Sequence, residues 1–102
     1  MLDNNTMLRT ANKEIYEEFI DIKKYFNRRI HLFVTGLIIG IVNKRISGKR
    51  PNRDIIRMGQ LDPNLSEFKI LINLISDILC LEKEEDCSNI IFKYADGGLE
   101  LL

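Results

Sequence analysis

At 102 residues the chain is the size of one domain, since either half alone would be too small to bury a core without staples. Its hydrophobic share of 45% and charged share of 29% are those of a folded globular protein and exclude a low-complexity chain. Two cysteines, Cys80 and Cys87, share the chain with a single histidine, His31, too few ligands for a zinc site.

Net charge is zero but unevenly spread. Residues 1–53 carry 11 Lys/Arg against 5 Asp/Glu, or +6, and residues 54–102 carry 4 against 10, or −6. A chain so divided can fold its halves together, or show an anionic partner a basic face that the total conceals. The opening MLDNNTMLRT lacks the basic and apolar blocks of a signal peptide. The longest apolar stretch, IHLFVTGLIIGIV at residues 30–42, holds 13 residues, where a membrane span needs about 20. The expectation is a cytoplasmic protein with reduced thiols, no membrane segment, no metal and no cofactor.

Residues 1–9 read as frayed. From Thr10, TANKEIYEEFIDIKKYF offers Thr10 or Asn12 as N-cap and places Ile15, Phe19, Ile22 and Phe26 on one helical stripe. RRIHLFVTGLIIGIVNKR is apolar nearly all round and should be the central helix. Gly36 and Gly40, four apart, are either a notch for a neighbouring helix backbone or glycines tolerated for local packing. His31, at the start of that helix, reads as a boundary residue. NKRISGKRPNR, residues 43–53, is a loop by its Ser-Gly and Pro-Asn turn formers, and RDIIRMGQL is a short strand or extended edge. After the Asp62-Pro63 turn, LSEFKILINLISDILCLEK places Leu65, Phe68, Ile72, Ile75 and Leu79 on a stripe widened by Leu71, Leu74 and Ile78. The acidic run at 82–86 favours the start of a last helix, DCSNIIFKYAD, which buries Ile90, Ile91, Tyr94 and Cys87. The fold class is therefore mainly α: one domain over residues 1–102, four helices around an apolar central one, with a short β element near 54–61 and at the C-terminus.

Catalytic chemistry finds no support, with no Cys–His or Ser–His arrangement and no phosphate-cradling glycine loop; a non-enzymatic role is expected. The one feature suited to a ligand is the loop at 43–53, where Lys44, Arg45, Lys49, Arg50 and Arg53 stand without an acid and could contact phosphates of DNA. Two alternatives are a solvated loop and a loop paired with the acidic run at 82–86. The chain has no net basic balance, and no Phe or Tyr falls between residues 34 and 67 to stack on bases.

The ending KYADGGLELL is apolar where a polar tail is usual. Gly97 is placed to stop the last helix in the left-handed conformation, and Gly98 to reverse the chain. Leu99, Leu101 and Leu102 would then dock between the two buried helices, or pair as a strand with residues 55–58, as a clasp. IIFKYADGGLELL, preceded by FKILINLISDIL and HLFVTGLIIGIVNKR, resembles the dnd-system-associated proteins, small prokaryotic proteins encoded beside DNA phosphorothioation and linked restriction genes. Tyr94, Ala95, Gly97, Gly98 and Leu99 match the family's Y-A-x-G-G-L ending; Phe33 and Gly40 match its earlier F-x-x-x-x-x-x-G helix. The resemblance implies an accessory or regulatory protein of a modification and restriction system used in phage defence. Its partners would be other proteins of that system, and the apolar central helix adds the expectation of a homo-oligomer.

Overall fold

The computed structural model describes residues 6–23, 28–60, 66–82 and 87–102. In chain order the elements are β1 (Met7–Thr10), α1 (Lys13–Tyr16), α2 (Arg29–Val42), β2 (Arg53–Arg57), α3 (Ser66–Glu82) and α4 (Cys87–Leu99). The mainly α expectation holds. Among the described residues, no helix is long and apolar enough to cross a membrane.

Residues 7–9, expected to be frayed, form strand β1, with residues 1–5 outside the described part. The strand holds because it alternates: Leu8 and Thr10 are buried while Arg9 points outward, the period-two pattern of a half-buried strand. It pairs antiparallel with β2 in the register Met7↔Arg57, Leu8↔Ile56, Arg9↔Asp54 and Thr10↔Arg53, with a bulge between Leu8 and Arg9. An isolated two-stranded sheet is marginal in water; this one survives because Leu8, Ile55 and Met58 reach the helical core. The expected strand near 54–61 is therefore present, but its partner is the N-terminus and not the C-terminal leucines.

Helix α1 widens without a break into a π-helical stretch at Glu17–Ile22, closed by Lys23 N–H donating to the Glu18 carbonyl at 2.8 Å. A π turn takes in one residue more than an α turn, so the apolar stripe drifts. Tyr16 is buried and Ile15, Phe19 and Ile20 pack against the core, while Ile22, expected on the stripe, is 74% exposed. Phe26 lies outside the described residues.

The centre of the molecule is the crossing of α2 and α4. Leu32, Phe33 and Leu37 of α2 and Ile91 of α4 are fully buried, with Phe92 and Ala95 of α4 nearly so, and the rings of Phe33 and Phe92 meet edge to face at 6.3 Å. Each fully buried Leu, Ile or Phe contributes about 1.5–3 kcal/mol. Glycines let the two backbones approach. A methyl group at Gly36 would sit 2.5 Å from the Ala95 carbonyl oxygen and 2.8 Å from Leu99 Cγ. One at Gly40 would run into the Tyr94 carbonyl, and one at Gly98 into the Gly36 carbonyl. The notch at Gly36 and Gly40 is real, then, but α4 of the same chain fills it. Self-association through these glycines has lost its physical basis.

The ending differs from expectation in the same place. Helix α4 runs straight through Gly97 and Gly98 to Leu99, and no described glycine has a positive φ. Glycine inside a helix costs about 1 kcal/mol relative to alanine, and here that loss is offset by a helix contact no larger residue allows. Of the three closing leucines only Leu99 is docked, at 1% exposure against Gly36; Leu101 and Leu102 are 47% and 54% exposed. The clasp is one leucine.

Helix α3 packs more lightly. Phe68, Ile72, Ile75 and Leu79 face inward as their spacing predicts, with Phe68 edge to face on His31 at 5.2 Å, while Leu65 lies outside the described residues. Leu74 and Ile78, expected to widen the buried stripe, face outward.

Candidate functional site: a basic strap laid along helix α4

The loop after α2 begins with a helix stop that positions everything downstream. Lys44 N–H donates to the Ile41 carbonyl at 3.1 Å and Arg45 N–H to the Gly40 carbonyl at 2.8 Å. These are the paired bonds of a Schellman ending. Lys44 occupies the left-handed position with φ of 52°, a conformation that costs a residue with a Cβ roughly 1–2 kcal/mol. The left-handed residue assigned to Gly97 from the sequence is thus found at Lys44, at the end of α2.

From there the chain lies along α4 in the opposite direction. The Arg45 carbonyl occupies the space a side chain at Gly97 would need. Ser47, itself buried, donates its N–H to the Lys93 carbonyl at 3.0 Å. Gly48 to Pro51 then flank Asn89. Positions 97, 93 and 89 are one turn apart on a single helix face, so the strap is matched to α4 turn by turn. Gly97 is required because the strap's backbone crosses directly over it.

Two carboxylates, Asp96 on α4 and Glu100 just past its end, tie the assembly together. Asp96 is fully buried; it accepts the Thr10 hydroxyl, and Ala11 N–H at 2.8 Å. Thr10 Oγ1 in turn accepts Asn12 N–H at 2.9 Å. One turn on, Glu100 Oε2 accepts Asn12 Nδ2 at 3.0 Å and the Ser47 hydroxyl at 2.7 Å. Lys49 Nζ donates to Asn12 Oδ1 at 3.1 Å, and Arg45 stands 3.9 Å from Glu100. Of the two caps offered by the sequence, Asn12 is the N-cap of α1, its carbonyl accepting Ile15 N–H at 2.9 Å, though its side chain makes no cap bond. Through their side chains Thr10 and Asn12 join the β1–α1 corner to the C-terminal end of α4.

The two acids respond oppositely to this setting. Burial raises the Asp96 carboxyl to about 6, overriding the bonds from Thr10 and Ala11 that favour its charge. Burial also acts upward on Glu100, but the bonds from Asn12 and Ser47 and the nearby Lys49 and Arg45 outweigh it and hold that group below the ordinary glutamate value. Tyr16 rises well above the ordinary phenol range through burial first and the Asp96 charge second. Neither acid was singled out from the sequence as a site residue. A signal was present: the last turn of α4 has no basic residue, and acids near a helix C-terminus oppose the macrodipole. Acids kept in that position are held by specific donors.

The five loop cations do not form one surface. Arg45 and Lys49 are drawn toward Glu100, as above. Arg53 lies at the start of β2, opposite Thr10, and Lys44 at the helix stop. Arg50 lines an open cleft of about 370 Å³ with Gly48, Lys49, Pro51, Asn89 and Lys93. Lys93, which a reading of the loop alone could not include, is supplied by α4. Among the described residues, neither Arg50 nor Lys93 has a carboxylate within salt-bridge distance. Pairing of the loop with residues 82–86 falls outside the described side chains.

Of the ending that carries the resemblance, Tyr94, Ala95, Gly98 and Leu99 face α2, and Gly97 faces the strap. The motif is therefore a packing motif in this chain. No protein-family model, curated protein or solved structure matches the chain.

Proposed function

We propose that this protein is a non-enzymatic accessory of a phosphorothioation-linked modification and restriction system, acting through protein contacts made by the outer face of α3, self-association among them. The setting rests on the Y-A-x-G-G-L ending and its upstream helices. The mode of action rests on Ile70, Leu74 and Ile78, which are 66%, 56% and 50% exposed and stand at i, i+4 and i+8. They form a stripe about 12 Å long at 1.5 Å per residue, on the face of α3 away from its buried residues. A stripe of this kind is the common signature of a helix that docks another apolar surface. Centred on Leu74, it can pair antiparallel with itself in a two-fold dimer.

The test is co-expression with the products of neighbouring genes, alongside light scattering of the isolated protein. Co-purification with a sulfur-modification or restriction component that Leu74→Glu abolishes would support the proposal, as would a dimer that the same change makes monomeric. A strictly monomeric protein that co-purifies with no such component would refute it. A second reading, DNA binding through the basic loop, is favoured by one observation: α4 adds Lys93 to the loop's own cations.

A further inference from the structure

We infer that the cleft between the strap and α4 is a seat for a phosphate group, held by Arg50 and Lys93 with Asn89 as a neutral donor. The inference rests on the second reading above and narrows it, from five cations scattered over a loop to one place and one chemical class. Three observations converge. The strap is matched to α4 at Gly97 and at the Lys93 carbonyl, so the cleft walls are fixed by backbone contacts and not by loop chance. Its volume of about 370 Å³ falls within the ~300–1,000 Å³ typical of small-molecule sites, leaving room for a phosphate with the sugar that carries it. Glu100, the carboxylate of this network, is occupied by Asn12, Ser47, Lys49 and Arg45, and among the described residues no carboxylate lies within salt-bridge distance of Arg50 or Lys93.

The lining also says what the site does not read. Gly48, Pro51 and the polar side chains include no aromatic ring, so a base has nothing to stack on. Recognition falls on the phosphate: Arg50 offers a planar fork matched to two oxygens, and Lys93 a point charge. The ligand is a phosphodiester of a nucleic-acid backbone, bound without sequence preference, or the phosphate of a small ester. Both present the same group.

Amide NMR titrations of the full chain at low salt separate these, using inorganic phosphate, adenosine 5′-monophosphate, a short DNA duplex and a glutamate-rich peptide. The expected result is shifts concentrated at Gly48, Lys49, Arg50, Asn89 and Lys93 with the phosphate probes. Arg50→Gln with Lys93→Gln should weaken duplex binding about tenfold or more and reduce its salt slope by about 2. Lys23→Gln should change neither, and unaltered spectral dispersion checks that each variant folds. Shifts with the small probes and none with duplex leave the seat standing and assign it to a small ester. Salt-dependent duplex binding indifferent to the double change overturns the seat while the loop reading survives. No response to any phosphate probe, or a response to the acidic peptide alone, overturns both.

Discussion

Gly98→Ala tests the crossing of α2 and α4 most directly. The added methyl would overlap the Gly36 carbonyl oxygen and stand 2.7 Å from Gly40 N. Both obstacles are helix backbone, which cannot rotate aside as a side chain can, so the helices must part by roughly 1 Å to restore van der Waals contact. Overpacking of a well-packed core costs about 1–3 kcal/mol, and more where nothing yields; the rigid obstacle places this change at the upper end. Alanine returns about 1 kcal/mol through its better helix propensity. The net loss is then about 2 kcal/mol, or roughly 8–16 °C in melting temperature at 4–8 °C per kcal/mol for a domain of this size. Thermal melts followed by circular dichroism measure it. Gly48→Ala is the control, because nothing lies within 4 Å of a methyl there, and it should melt within a few degrees of the parent. Adding Gly40→Ala to Gly98→Ala should cost less than the sum of the two, since helices already parted have room for the second methyl. A Gly98→Ala protein that melts at or above the parent would show that propensity alone governs the site and that the helices do not touch there.

The remaining predictions concern the acid on α4 and the ending. Because burial raises Asp96 in the folded state from 3.8 to about 6, its protonated form favours folding. That contribution is fully present below about pH 4 and is lost as pH rises through 6. Asp96→Asn should therefore gain roughly 2 kcal/mol relative to the parent between pH 4 and pH 7, at 1.36 kcal/mol per pH unit between the folded and unfolded values. Chemical denaturation at both pH values measures it, and a constant difference between the two proteins would contradict the assignment. Leu99→Ala removes a buried side chain and should cost about 2–5 kcal/mol, whereas deleting Leu101 and Leu102 should shift the melt by no more than a few degrees, as for exposed positions. Equal losses from the two changes would show that the exposed leucines are docked after all.

Much of the architecture follows from spacing. The inward residues of α3 repeat at helical intervals, and the apolar run at residues 30–42 became the most buried helix because its length and hydrophobicity leave it no other stable environment. The mainly α class came from the same local patterns. What spacing could not decide was which long-range partner each feature would meet. Gly97 and Gly98 looked like a helix stop because glycine is the usual left-handed residue; only the proximity of α2 on one side and the strap on the other keeps them helical. Lys44 took the left-handed position because the strap must turn there to reach α4. Ile22 left its stripe because the π turn altered the helical phase, which no apolar count encodes. Lys93, Asp96 and Glu100 stand 43, 86 and 88 residues from Arg50, Thr10 and Asn12 in the chain, so nothing local marks them as one site. Local sequence sets helix and strand through side-chain periodicity and backbone preference. The basic cleft and the buried acids arise where separate elements pack, and packing is a property of the whole fold.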